Sequence, residues 1–147
     1  MIDNQIFDIA NISADDLNLH CSNTMNQSIG LEFTKIYPNE IHASMVVGNN
    51  NCQPLGHLNG GASLAAVEIV GSMAANLVID REQLVAVGQN IQGSHFRPAL
   101  MGERVTIIGK PLHIGKKSHV WEVELFNEKE KLICKGSITM AVISRVQ

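Results

Sequence analysis

The 147-residue sequence has few clustered basic residues and no segment typical of secretion. Binding to phosphate backbones or to anionic membranes depends on clustered Lys and Arg. The formal net charge is -3, and Lys116-Lys117 is the one adjacent basic pair, more typical of a solvated turn than of a phosphate clamp. The first residues carry acids where a signal peptide needs a basic region followed by an apolar run. We therefore expect no nucleic acid, no membrane and no secretion signal.

Cysteine and histidine patterns of metal sites are also missing. Cys21, Cys52 and Cys134 are odd in number and widely spaced, which fits neither a disulfide framework nor a metal site. The six histidines include no H-x-x-x-H or H-x-H pair, so no metal is predicted. A chain of this length with 45% hydrophobic residues predicts one domain over residues 1–147. We expect a cytoplasmic protein with three reduced thiols.

The most informative stretch is residues 53–76, which leads into a long apolar run. Between residues 58 and 79 the one charged residue is Glu68, and the run is apolar on every helical face. That pattern predicts a helix buried on all sides. A membrane span of this length would carry a Glu near its centre at a cost of about 2.5 to 3.5 kcal/mol. We therefore predict the central helix of a globular domain.

The segments around this helix predict a sheet that wraps it. Ser13 followed by Asp15 and Asp16 indicates the start of a short helix that ends near His20. Extended segments are predicted at residues 29–36 and 40–47, forming a hairpin, and at 84–97, 104–114, 119–126 and 131–143, forming an antiparallel meander. The fold class is therefore α+β, with an antiparallel sheet of five to six strands curled around the long helix. An uncovered helix side or sheet edge argues for at least a homodimer.

Two features of the helix point to chemistry. The predicted Glu68 face also carries Gly61, Leu64, Ala65, Gly71, Ser72 and Ala75, and such small residues leave space for another group to approach the carboxylate. At the other end, backbone N–H groups of Asn59-Gly60-Gly61 would stabilise a carbonyl oxygen that gains negative charge. Glu68 lies roughly 12 Å along the helix from Gly60. The residues alone leave open a structural acid paired with a cation, and a glycine pair that only permits a tight turn.

Several motifs resemble one enzyme family, in the family's order and over nearly the whole chain. They are Gln53-Pro54-Leu55-Gly56, Asn59-Gly60-Gly61-Ala62-Ser63, Glu68 with Gly71-Ser72, Gly88, Ser94-His95-Phe96-Arg97-Pro98, and the Lys110 to Lys117 segment followed by Val120-Trp121. These resemble the hotdog-fold acyl-CoA thioesterases, in the branch of the 4-hydroxybenzoyl-CoA, 1,4-dihydroxy-2-naphthoyl-CoA and phenylacetate-pathway enzymes. The resemblance implies hydrolysis of a coenzyme A thioester with an aromatic or medium-sized acyl group.

The resemblance also implies roles for individual residues. Glu68 matches the catalytic carboxylate, as nucleophile or general base. Gly60 matches the N–H that polarises the thioester oxygen, Gln53 an orienting amide, and Ser72 a hydroxyl that positions water. Segments that hold coenzyme A match Gly88, His95, Phe96, Arg97, Pro98, His113, Ile114, Gly115, Lys116, Lys117 and Ser118. No cofactor is implied, since coenzyme A is part of the substrate.

One residue departs from the family pattern. Asn59 stands where many relatives have His before Gly-Gly, and an amide can hold geometry but cannot titrate near neutral pH. This departure keeps open a second class, a hotdog module that binds acyl-CoA without hydrolysing it. The resemblance further implies a homodimer or a dimer of dimers, that is a homotetramer, with the site assembled between subunits.

Overall fold

The computed structural model describes residues 5–146, so the two ends of the predicted single domain lie outside the described residues. Three helices and one six-stranded antiparallel sheet make up this part of the chain. In chain order they are α1 (Ala14–His20), α2 (Met25–Ser28), β1 (Glu32–Ile36), β2 (Ile41–Val46), α3 (Gly60–Leu77), β3 (Leu84–His95), β4 (Arg104–Ile114), β5 (Ser118–Phe126) and β6 (Leu132–Ser144). The predicted helix-plus-sheet order is confirmed, whereas the single turn α2 was not predicted.

The sheet order is β1-β2-β4-β5-β6-β3, and it corrects one prediction. The four strands after α3 do not form a simple meander, because β3 pairs with β6 at the edge and β4 pairs with β2 and β5. The 18 residues of α3 span roughly 27 Å, enough to carry the chain from β2 past four strand spacings of about 4.8 Å. The chain then returns through β4, β5 and β6 to fill the gap.

The short helix α1 is fixed against the edge strand β1. At its start the Ser13 hydroxyl accepts from the Asp16 N–H, and the Asp16 carboxylate accepts from the Ser13 N–H, both at 3.2 Å. The Ser13 hydroxyl also donates to the Asp16 carboxylate at 2.5 Å. This bond first, and the one from the Ser13 N–H second, lower the pKa of Asp16. Further along, Asn18 donates to the Phe33 carbonyl and accepts from the Phe33 N–H, both at 2.8 Å. One side chain thus occupies the place of a neighbouring strand.

The core lies between the concave face of the sheet and one side of α3. Alternate residues of β5, from His119 to Leu125, are buried toward the helix, and Gly71 of α3 packs directly on them. A Cβ at Gly71 would lie 2.3 Å from Cγ2 of Ile138 and 3.5 Å from Cβ of Trp121. Trp121 in turn stacks on Phe7 with ring centroids 5.9 Å apart.

The prediction that the helix is buried on all sides is wrong for a single chain. Buried residues of α3 form one side, and the other side is half-open and mostly apolar, with Ala62, Ala65, Ile69 and Met73. Within residues 5–146, α3 is the helix long and apolar enough to cross a membrane, and it is the core helix here, with 44% of its residues buried. The apolar surplus that suggested complete burial therefore faces outward from the chain.

Candidate active site

The N-terminus of α3 is built around Asn59. Its side-chain oxygen accepts from the Gly61 N–H at 2.8 Å, and its carbonyl accepts from the Ser63 N–H. Asn59 is thus the N-cap of α3, a role that Asn fills well. The Gly60 N–H donates to no acceptor within the described residues. One backbone donor at the positive end of the helix dipole therefore remains available to a ligand.

The turn before the helix places Gln53 beside this donor. Gly56 adopts a φ of +79°, which favours glycine, and its N–H donates to the Gln53 carbonyl at 2.9 Å. The side-chain oxygen of Gln53 accepts from the Leu55 N–H. This bond fixes the amide and leaves its NH₂ group without a partner among the described residues, so it can donate to a ligand.

A small cavity of about 340 Å³ collects the residues at this end of the helix. It is lined by Gln53, His57, Leu58, Gly60, Ser63, His95, Phe96, Arg97, Pro98, Ala99 and Ile133. The His95 ring lies over Gly60, where a Cβ would be 3.1 Å from its Nε2. Gly60 therefore leaves room for this imidazole. His57, not included among the predicted site residues, also lines the cavity.

Glu68 lies on the half-open side of α3 and is half-buried. Its carboxylate rests against Gly88 of β3, where a Cβ would be only 2.6 Å from Oε1. The prediction that Gly71 and Ala75 share an open face with Glu68 is wrong, because both are buried against the sheet. The space that the carboxylate occupies instead exists because Gly88 of β3 has no side chain.

A large cavity of about 1120 Å³ begins at Glu68 and follows the C-terminal half of α3. Ser72 lines it next to Glu68, and no hydrogen bond joins these two side chains within the described part of the chain. The large cavity is lined by Asn11, Ile12, Asp16, Leu17, His20, Cys21, Asn26, Glu68, Ile69, Ser72, Met73, Asn76, Leu77, Ile79, Asp80, Arg81, Glu82, Val85 and Arg145. The α1 side of this wall was not connected with the site by the sequence, since no motif there marks it.

The predicted site residues therefore fall into two groups within one chain. Gln53, Gly60 and the segment from His95 to Pro98 share the small cavity, whereas Glu68 and Ser72 belong to the large one. Gly88 lies against Glu68, whereas Arg97 is nine residues further along the chain, a distance of roughly 30 Å for an extended backbone. The Arg97 guanidinium donates to the Leu132 carbonyl at 2.8 Å. A single chain does not bring the two groups together.

The turn from His113 to Ser118 belongs to the Glu68 end of the sheet. Ser118 pairs with Ala141, which pairs in turn with Val87. Lys116 and Lys117 are exposed there, about two strand spacings, or roughly 10 Å, from β3. Arg97 and this turn therefore lie at different ends of the sheet.

No group of three or more His, Cys, Asp or Glu residues suited to a metal ion occurs within residues 5–146. In the same range Cys21, Cys52 and Cys134 are free thiols. Burial raises the pKa of the Cys21 thiol, which lines the large cavity. That thiol is therefore a poor nucleophile at neutral pH.

Proteins of known family are similar to this chain in sequence and in fold. Residues 55–134 match the model of the thioesterase superfamily. The 1,4-dihydroxy-2-naphthoyl-CoA hydrolase of Escherichia coli is 37% identical over 132 residues, covering 90% of this chain and 96% of the relative. Crystal structures of a mutant thioesterase from Pseudomonas aeruginosa and of a thioesterase from Haemophilus influenzae each superpose with a TM-score of 0.88 at 32% identity. The match to the first structure covers 92% of this chain and 96% of the chain in that structure. The match to the second covers 93% of this chain and 94% of the chain in that structure.

A long helix packed on a six-stranded antiparallel sheet, shared with these thioesterases, defines the class as the hotdog-fold thioester hydrolases. The chain belongs to the thioesterase superfamily. The predictions of the fold, the family and the enzyme class are thereby confirmed.

Proposed function

We propose that the protein hydrolyses an acyl-CoA thioester to the free acid and coenzyme A, with an aromatic or medium-sized acyl group. The observation that carries this proposal is the combination of an acid facing a large cavity and an unpaired N–H at a helix N-terminus. An attacking carboxylate and an oxyanion donor are the two elements that acyl transfer requires. The named hydrolase relative, which acts on a naphthoyl-CoA, supports the choice of an aromatic acyl group.

In the proposed reaction Glu68 either attacks the thioester carbonyl carbon or removes a proton from the water that attacks it. Negative charge develops on the carbonyl oxygen and is stabilised by the Gly60 N–H and the dipole of α3. The side-chain NH₂ of Gln53 orients the thioester, and Ser72 positions the water. The C–S bond then breaks and coenzyme A leaves as the thiolate, which takes up a proton. In the nucleophilic route, water then hydrolyses the anhydride between Glu68 and the acyl group, which releases the free acid and restores the carboxylate.

Asn59 supports this reaction without taking part in proton transfer. As the N-cap it holds the first turn of α3 through the Gly61 N–H, so the Gly60 N–H stays directed toward the substrate. The helix N-terminus is therefore preorganised without a histidine at this position. The departure from the family pattern preserves the oxyanion donor, which favours hydrolysis over binding alone.

A homodimer, alone or in a dimer of dimers, would complete the site. Two surfaces are available for contact with a second copy of the chain. One is the edge of β3, which pairs with β6 alone in the described residues, and the other is the half-open apolar side of α3. Around a two-fold axis near the middle of α3, Glu68 of one subunit would lie opposite Gly60 and Gln53 of the other.

Three free thiols suit a reducing compartment such as the cytoplasm.

The proposed activity is tested by following thiol release from benzoyl-, phenylacetyl-, short-chain and long-chain fatty acyl-CoA. We expect turnover of at least one substrate, highest for an aromatic or medium-sized acyl group. Tight binding of acyl-CoA with no release of free thiol would instead support the non-hydrolysing module.

The shared site is tested by mixing two inactive variants, Glu68→Gln and Gln53→Ala. Each mixed dimer would contain one site with both substitutions and one with neither. Random exchange makes half of the dimers mixed, so activity should return to about a quarter of wild type. A mixture that stays as inactive as its parents after demonstrated subunit exchange would contradict a site built from two chains.

A further inference from the structure

The inference concerns the turn between β4 and β5, residues 115–117, and it rests on the proposed function. Lys116 and Lys117 are exposed on this turn. Within the described residues neither of their ammonium groups forms a salt bridge, whereas Lys110 and Lys135 each pair with a glutamate. Two unpaired cations side by side can bind the phosphate groups of a coenzyme A thioester. They bind more tightly when the turn already holds them in place.

The backbone of this turn is held at two points. The Gly115 N–H donates to the Ser118 carbonyl, and the Val142 N–H of β6 donates to the Lys117 carbonyl, both at 2.9 Å. A Cβ at Gly115 would lie 3.1 Å from the Ser118 carbonyl oxygen and 2.7 Å from Nε2 of His113, so the turn is closely packed. No backbone N–H within the described residues donates to the Gly115 carbonyl. The peptide plane that leads to the two lysines therefore depends on another group.

That group is the imidazole of His119, on the inner face of β5. Its ring forms a hydrogen bond with the Gly115 carbonyl, and because Nδ1 has no partner within the described residues, the donor is Nε2–H. His119 is 1% exposed, and its ring centroid lies 6.4 Å from that of Trp121. Trp121 in turn packs beneath Gly71 of α3. A buried ring among such neighbours is held in one position, and the carbonyl that it binds is held with it.

We propose that His119 is a positioning residue that raises the affinity for the substrate by holding the turn with Lys116 and Lys117 in its binding conformation. Without the bond to the Gly115 carbonyl, the turn would have to be ordered when the phosphate groups bind, and this loss of conformational freedom weakens binding. His119 lines neither of the two cavities. Its effect is therefore confined to the nucleotide end of coenzyme A, which carries the phosphate groups, and leaves the chemical step unchanged.

The test compares benzoyl-CoA with benzoyl-pantetheine, which has the same thioester but lacks the nucleotide and every phosphate group. His119→Leu removes the donor, whereas His119→Gln keeps one, because the side-chain NH₂ of Gln lies near the place of Nε2. We expect His119→Leu to raise KM for benzoyl-CoA about tenfold, the effect of one hydrogen bond, with kcat within about twofold of wild type. His119→Gln should return this KM to within about threefold of wild type, and both variants should keep kcat/KM for benzoyl-pantetheine within about twofold.

Two controls separate positioning from a general loss of structure. Val123→Ala alters another buried residue of β5, and it should lower thermal stability without changing the ratio of kcat/KM between the two substrates. In a variant that combines Lys116→Ala and Lys117→Ala the turn has no cations to position, so adding His119→Leu should change KM for benzoyl-CoA by less than about twofold. A full effect of His119→Leu in that background, or equal rises in KM for both substrates, would overturn the proposal.

Binding of coenzyme A itself separates this inference from the proposed function, because the product can bind whether or not the protein hydrolyses thioesters. If neither substrate is turned over, a dissociation constant for coenzyme A that rises about tenfold in His119→Leu and recovers in His119→Gln, measured by calorimetry, still supports the role of His119. If His119→Leu does not fold, His119→Asn takes its place, because its shorter side chain does not reach the Gly115 carbonyl. An unchanged dissociation constant in a folded variant without the donor, or no binding of coenzyme A by wild type, would overturn the proposal.

Discussion

Substitution of Gly88 by Ala offers a sharp test of how the sheet positions the carboxylate of Glu68. A Cβ at residue 88 would lie 2.6 Å from Oε1, whereas ordinary contact begins at 3.4 Å. The carboxylate must therefore retreat by about 0.8 Å, the difference of these two distances. Because it ends a flexible side chain, it can move without disturbing the backbone.

The expected result is a large loss of activity with little loss of stability. A misplacement of about 1 Å can cost roughly a hundredfold in rate, so Gly88→Ala should lower kcat by about that factor. The free energy of unfolding, measured by urea denaturation, should stay within about 1 kcal/mol of wild type. Thiol release from the best substrate supplies the rate.

The matched control lies on the same strand. At Gly93 a Cβ would be 2.8 Å from Cδ2 of Leu64, so Gly93→Ala introduces a similar crowding away from the carboxylate. We expect this control to keep kcat within about threefold of wild type. Equal activity of the two variants, or a wild-type rate in Gly88→Ala, would refute the assignment of Gly88 as the residue that makes room for Glu68.

Two further predictions concern the core. Burial lowers the pKa of His119; a backbone hydrogen bond to Gly115 opposes this, and the charge of His113 adds a smaller lowering effect. Folding stability should therefore be full above about pH 6.5 and fall as the pH drops below it. His119→Phe should flatten this dependence in thermal melts between pH 8 and 5.5, and parallel losses in both proteins would contradict it. Gly71→Ala should lower the free energy of unfolding, measured by urea denaturation, by about 1 to 3 kcal/mol, because the added methyl group clashes with the side chain of Ile138. This loss should exceed the gain of about 1 kcal/mol from the higher helix propensity of Ala. A variant more stable than wild type would show that Ile138 can move to accommodate the methyl group.

The sequence predicted the features that depend on neighbouring residues. Ser13 and Asp16 are three residues apart, so their capping box could be recognised locally, and α1 ends at His20 as expected. The run around Glu68 became α3, and the Val- and Ile-rich segments became strands close to their predicted bounds. Propensity and periodicity act over a few residues, and therefore these elements are visible in the order of amino acids.

Features that depend on long-range pairing were less accessible. The position of β3 beyond β6 follows from the path of α3 across the sheet, which no local pattern encodes. The direction of Gly71 was misjudged because a helical wheel gives the angles between residues and not the side on which the sheet packs. The wall of the large cavity that contains Leu17, Cys21 and Asn26 arises from the docking of α1 and α2, and the separation of these residues in sequence from Glu68 hides it.

The most direct test of the central claim is the substitution Glu68→Gln, which keeps the size of the side chain and removes its charge. Its kcat for the best acyl-CoA substrate should fall at least a hundredfold while the dissociation constant for that substrate stays near wild type, because a positioned nucleophile or base contributes at least that much. A variant that binds and hydrolyses the thioester at a rate close to wild type would show that Glu68 does not take part in the chemical step.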